Sequence, residues 1–339
     1  MSASAKLAPY FSFFMFTADL RPDDASYRDV IIRHLRVLKE LGYSGFDVPI
    51  APGAPGVHEK ELESYLALKQ ALDEAGLADV RFTTNVGATR RFDPTSEYRE
   101  QRDAALAYLK SRVDITAALG GDILAGPIVY PYNVYPLTDA GQSMWSDELQ
   151  SWLTSGYRRA QPVLEELGQY AASKNVRLAI EPVDHWETPA PNSVTDVLDF
   201  LEGVPSRQVG VCIDSAHVML AGGGPAAFAA EVRRAAAADR LHYVHISAPD
   251  RGAIHESWIP WKAFLEPILE SYEGPLLLEA FNAVEPFVSA LQLTRRKFWI
   301  PEEEPQVPDV PSAYSIAETA LGAFRDELSK LQGGESVSL

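Results

Sequence analysis

The chain has 339 residues, of which 46% are hydrophobic and 23% charged. That composition can bury a sizeable core and is unlike disordered or collagen-like sequences. A net charge of −17, from 30 basic and 47 acidic residues, argues against nucleic acid or an anionic membrane as partner, since both need a cationic surface.

The single cysteine, Cys212, can close no internal disulfide and suits a reducing cytoplasm. Met1 to Pro9 lacks the charged-then-apolar order of a secretory signal, and no apolar stretch approaches a membrane span. A cytoplasmic location is expected.

Taken in chain order, the strand-like runs are Tyr10–Phe16, Gly45–Pro49, Val80–Thr84, Asp122–Ala125, Val176–Ile180, Val209–Ile213, Leu241–Ile246 and Pro275–Leu278. Between them apolar residues recur at helical spacing. Val30, Ile31, Leu35, Leu38 and Leu41 mark a first helix closed by Gly42. A second runs from Leu62 to Leu72 and ends at Gly76, and a fourth carries Leu164, Leu167 and Tyr170. Eight strands, apolar throughout and alternating with helices, predict an α/β fold, a (β/α)8 TIM barrel over residues 8–291. A doubly wound open sheet is the main alternative. No GxGxxG follows the first strand, and the loop Gly222–Gly224 has no Walker lysine. Residues 292–339 read as a C-terminal extension packing on the barrel or on a partner. It has a Pro- and Glu-rich stretch from Lys297 to Pro311, a helix from Ser312 to Leu331, and a polar end.

Barrel enzymes carry their chemistry at the C-terminal ends of the strands. Here the fifth strand runs into Glu181, the sixth into Asp214 and the eighth into Glu279, while the seventh contains His245. A single acid after a strand is ordinary, because loops and helix starts favour acids. Three carboxylates converging on one rim would repel one another unless a divalent ion sat among them. Three oxygen donors and one imidazole suit Mn²⁺, Co²⁺ or Mg²⁺ better than a thiolate zinc site, and Cys212 is expected in the core.

The segments AIEPVDHWET, CIDSAH, VHISAPDRG and LLLEAF, with LGGDILAGP upstream, resemble the xylose-isomerase-like barrel enzymes, above all the ketose 3-epimerases. The resemblance covers roughly Phe11 to Phe287. It implies Glu181, Asp214, His245 and Glu279 as metal ligands, Glu187, His217 and Arg251 as substrate contacts, and Mn²⁺ as the ion. Two features depart from those epimerases. The chain is longer, and its fourth loop, Pro127 to Trp152, is aromatic, with Tyr130, Tyr132, Tyr135, Trp145 and Trp152. Phe13, Phe14, Met15 and Phe16 crowd the first strand as well. In these respects the chain resembles the large subunit of bacterial C-glycoside deglycosidases, which act on 3-oxo-glycosides with a small partner subunit. The aromatics then either line an aglycone cleft or pack the core and rim.

Both resemblances imply enolisation beside a ketone, with Glu181 and Glu279 as the acid/base pair. The first reading is a lyase, in which the enolate of a 3-oxo-glycoside expels the aglycone, His185 relays a proton to it, and Tyr130 and Tyr132 hold it. The alternative is an isomerase, a ketose 3-epimerase acting on a small keto-sugar. A small β subunit in a hetero-oligomer accompanies the first reading, and a homo-oligomer is otherwise expected. His34, His58 and His242 are assigned to structure, and His255 to the rim without a role.

Overall fold

An apolar strand with no polar face is stable only when both of its faces are covered, and a closed parallel sheet wrapped in helices covers them. In the computed structural model, which describes residues 7–50, 58–281 and 298–332, the strands are β1 Pro9–Ser12, β2 Gly45–Pro49, β3 Arg81–Asn85, β4 Ile123–Gly126, β5 Arg177–Ile180, β6 Val209–Asp214, β7 Leu241–Ser247 and β8 Leu276–Glu279. They pair in parallel in sequence order, and β8 pairs with β1, so the sheet closes into a TIM barrel. The open-sheet alternative is thereby excluded.

The helices are α1 Ala25–Leu41, α2 His58–Glu74, α3 Arg99–Ala118, α4 Ser146–Ser173, α5 Val194–Phe200, α6 Ser215–Ala221, α7 Pro225–Ala237, α8 Trp261–Leu269 and α9 Ala313–Gln332. Asp24 caps α1 by accepting from the Ser26 and Tyr27 amides, and Gly42 ends it in the left-handed conformation that its missing Cβ permits. Among the described residues no helix is long and apolar enough to cross a membrane.

Inside the barrel, Tyr10, Ile123, Ala125, Ala179, Cys212, Tyr243 and Leu277 form a small cluster of their own. The larger core lies between strands and helices and takes in α9 through Ile316, Leu321 and Phe324. The extension is tied down further by His34, which is buried between the Tyr314 hydroxyl at 2.8 Å and the Glu303 carboxylate at 3.0 Å. The join expected at 291 and 292 lies outside the described residues.

Three expectations need correction. The first strand stops at Ser12, because its hydroxyl accepts from the Phe14 amide and starts a 3-10 turn over Phe13–Met15. The fourth loop ends earlier than expected, at Trp145, since Asp147 and Glu148 favour a helix start there. Tyr130 is core rather than rim: it is 1% exposed, stacks on Trp152, and donates its hydroxyl to the Leu153 carbonyl.

One glycine fixes the rim locally. Gly126 ends β4 at φ +123°, and a Cβ there would overlap the Val86 carbonyl oxygen. Its own carbonyl accepts from the Glu181 amide at 3.1 Å. Gly126→Ala should therefore cost about 2 kcal/mol or more, read as a lower urea midpoint. An unchanged midpoint would show that the β4 end relaxes freely.

Candidate metal centre and adjoining pocket

Strand register brings the ligand-type residues together. Asp214 on β6 lies beside His245 on β7, and Ser247 lies beside Glu279 on β8. Glu181 follows the last residue of β5. The ligand atoms of Glu181, Asp214, His245 and Glu279 all fall within 4.8 Å of one another, and all four residues are buried. His245 Nδ1 is 3.2 Å from Glu181 Oε1, 3.8 Å from Glu279 Oε2 and 4.0 Å from Asp214 Oδ2. The structure thus brings the four residues expected as ligands to one place.

Local structure decides which atoms are free. Asp214 is the N-cap of α6, and its Oδ1 accepts from the Ala216 and His217 amides. The Ser247 hydroxyl lies 2.9 Å from Oδ1 and 2.7 Å from Oδ2. Both ring nitrogens of His245 and Glu279 Oε2 are buried without a hydrogen-bond partner. Unsatisfied buried polar atoms cost about 1–3 kcal/mol each, so His245 Nδ1 and Glu279 Oε2, which face each other and the other two carboxylates, mark a place built for a cation. The donor set of three carboxylates and one imidazole fits a divalent ion of the Mn²⁺, Co²⁺ or Mg²⁺ kind.

Electrostatics divide the carboxylates. For Glu181 burial pushes the pKa up, but His245 and His217 outweigh it and hold the group below its ordinary range. Burial also opposes ionisation of Asp214, yet His217, Arg251 and His245 hold it at about 2. Glu279 is driven well up by burial, with Glu181 and Asp214 adding to the effect and His245 opposing it. The His245 imidazole is raised well above its usual value: burial would lower it, but Cys212, Glu181 and Glu279 prevail.

A pocket of about 350 Å³ opens over the cluster, lined by Glu181, Glu187, His217, Arg251, Glu279 and Tyr132. Glu187 is held by its own turn, where the Asp184 amide donates to Oε2 at 3.1 Å, and the Tyr132 hydroxyl donates to Oε1 at 3.3 Å. Arg251 sits at φ +57° with its guanidinium 5.0 Å from the Phe281 ring centre, and Phe281 stacks on Phe14. Of the aromatic run after β1, Phe14 alone lines this pocket, while Phe13, Met15 and Phe16 are buried.

His185 is not brought to the metal cluster. It is exposed and lines a neighbouring cavity of about 520 Å³, with Tyr135 and Leu149. His242 is buried on the other strand face, 2.9 Å from the Leu178 carbonyl, and burial pushes it down to about 4. Cys212 is buried inside the barrel as expected, within reach of Glu181 and His245. Sequence reasoning missed Asp184, Ser247 and Phe281. Ser247 could have been found, because it is two residues beyond His245 on one strand and so shares its face.

Ion binding to this cluster must displace protons, because the His245 imidazole and the Glu279 carboxyl are both pushed towards their protonated forms. Titration calorimetry with Mn²⁺ at pH 7, in buffers of different ionisation enthalpy, should show net release of about one proton or more per ion. Affinity should rise with pH, since fewer protons then compete. Binding with no proton release would contradict this charge distribution.

Residues 35–297 match the family model of the xylose isomerase-like TIM barrel. An L-ribulose 3-epimerase of Methylomonas sp. (strain DH-1) is 28% identical over 56% of this chain, an alignment that spans only 62% of that relative. A ketose 3-epimerase of Arthrobacter globiformis is 23% identical over 70% of this chain and 75% of its own. Among solved structures, a candidate sugar phosphate isomerase/epimerase of Anabaena variabilis ATCC 29413 is 55% identical, with a TM-score of 0.92 over 96% of this chain and 99% of its own. With the family model covering most of its length, the chain belongs to the xylose isomerase-like TIM barrel family.

Proposed function

We propose that the protein is a divalent-metal-dependent epimerase of an unphosphorylated keto-sugar, inverting the carbon next to the ketone, with Mn²⁺ as its ion. The observation that carries this reading is the pair of carboxylates, Glu181 and Glu279, brought with Asp214 and His245 into one ligand cluster and both lining the pocket above it. Two carboxylates placed together at such a cluster can act as base and acid in one turnover.

Glu181, Asp214, His245 and Glu279 would hold a divalent ion, which would supply Lewis acidity to a bound ketone and so acidify the C–H on the adjacent hydroxyl-bearing carbon. Glu181, kept ionised by His245 and His217, takes that proton. Glu279, which also lines the pocket, serves the opposite face as the acid, and the two exchange roles in the reverse direction. Arg251, His217 and Glu187 hold the sugar hydroxyls, and Tyr132 steadies Glu187. Phe14, Phe281 and Ile50 give the pocket apolar walls that limit water.

The charge pattern favours a neutral sugar. Arg251 is the sole Lys or Arg lining this pocket among the described residues, and Asp184, Glu187, Asp214 and Glu279 all lie within about 4 Å of its guanidinium. A phosphate would have to compete with four carboxylates for that one cation. The 3-epimerase relatives also favour this reading over elimination of an aglycone. Elimination from a 3-oxo-glycoside, with a small partner subunit, is the second reading, and the cavity at His185 and Tyr135 favours it.

Incubation of the Mn²⁺-loaded protein with D-fructose, D-tagatose or D-allulose in D₂O tests the proposal. The expected result is the C3 epimer with deuterium at C3. Glu181→Gln and Glu279→Gln should each slow turnover by about 100-fold or more. Neither exchange nor epimer with any ketohexose would sink the proposal, and release of the aglycone from an aryl 3-oxo-glucoside would favour the second reading.

A further inference from the structure

The 3-10 turn after β1 has two sides with different partners. Residues three apart share a face of such a turn, and Phe13 and Phe16 do so, with ring centres 5.0 Å apart. The Phe16 amide closes the turn on the Phe13 carbonyl at 2.9 Å. Phe14 falls on another side, where it lines the pocket over the metal cluster and stacks on Phe281 at 5.4 Å. Phe281 is itself held: its amide donates to the Arg251 carbonyl at 3.0 Å.

Phe13 and Phe16 rest on His34 of α1. Its ring stacks on Phe16 at 4.3 Å and meets Phe13 edge-on at 6.0 Å. His34 is fully buried, and both of its ring nitrogens are engaged by the C-terminal extension. A carboxylate accepts, so Nε2 donates to Glu303 at 3.0 Å, and the Tyr314 hydroxyl meets Nδ1 at 2.8 Å. Bonds at both nitrogens fix the plane of the imidazole, and with it the surface offered to Phe16.

We propose that Glu303 and Tyr314 are positioning residues for the pocket: by clamping His34 they hold the Phe13 and Phe16 side of the turn and so set where Phe14 stands against Phe281. The extension thereby shapes a wall of the pocket, although neither residue lines it. A close-packed interior passes such a constraint on, because its side chains have little room to absorb a shift. The consequence for sugar binding rests on the keto-sugar reading. The link from Glu303 to Phe14 does not.

Fluorine-19 NMR of the Mg²⁺-loaded, full-length protein with 4-fluorophenylalanine in place of Phe14 reads that link, since the Phe281 ring shifts the signal. Glu303→Leu, which cannot accept from Nε2, should move or split the signal, and the milder Tyr314→Phe should move it the same way. Glu303→Gln, whose amide oxygen still accepts, should restore it. Arg33→Gln cuts the exposed pair between Arg33 and Glu302 and should leave the signal in place. A signal unmoved by both Glu303→Leu and Tyr314→Phe would overturn the proposal. An equal displacement by Arg33→Gln would also overturn it, as general loosening of the extension. With D-allulose, Glu303→Leu should raise KM by about threefold or more and leave kcat within about twofold, as expected of lost uniform binding. A lower kcat at unchanged KM would contradict the role of the wall. A wild-type protein that turns over no ketose would leave the fluorine result to decide, so the two proposals fail separately.

Discussion

Like charges cannot be gathered in a buried place without something of opposite charge between them. Two carboxylates 4 Å apart repel by about 4 kcal/mol at an effective dielectric of 20. This barrel gathers three, Glu181, Asp214 and Glu279, around the imidazole of His245 at the ends of four consecutive strands. The fold tolerates the arrangement because each strand is held by its neighbours on both sides and by an apolar core that does not yield. Strand pairing keeps the carboxylates where they are, and an ion is the cheapest remedy for their repulsion.

The surrounding charges are arranged to the same end. Arg251 stands over the cluster, within about 4 Å of Asp184, Glu187, Asp214 and Glu279, with its guanidinium carbon 5.0 Å from the Phe281 ring centre. It offsets part of the negative field without replacing a ligand, and it leaves the pocket floor to the metal cluster. The result is a site with polar chemistry at the bottom and aromatic walls formed by Phe14 and Phe281. Such a site is consistent with the small polyhydroxylated ketone proposed above.

Much of this was legible in the sequence because it is carried by local order. Strand periodicity gave eight strands to within a residue or two, apart from the first, whose end depends on the side chain of Ser12. The candidate ligand set was legible because each member closes, follows or lies near the end of an apolar strand, and a closed barrel must bring those ends to one rim. What escaped depends on loops. Tyr130 and Tyr132 differ by two positions in an aromatic segment, yet the first is anchored under α4 and the second faces Glu187. No pattern in the segment distinguishes them, since the helix that captures Tyr130 begins at Ser146, more than a dozen residues downstream. Asp184 was passed over for a similar reason: its partners, His217 and Arg251, come from the ends of two other strands.

The central claim is that one ion is held by these four side chains together. A crystal structure of the Mn²⁺-soaked protein, with anomalous diffraction recorded at the manganese edge, tests it most directly. The account predicts a single peak about 2.0–2.4 Å from Glu181, Asp214, His245 Nδ1 and Glu279. A peak instead among Asp184, Glu187 and His217, the neighbouring group whose atoms also converge, would contradict it.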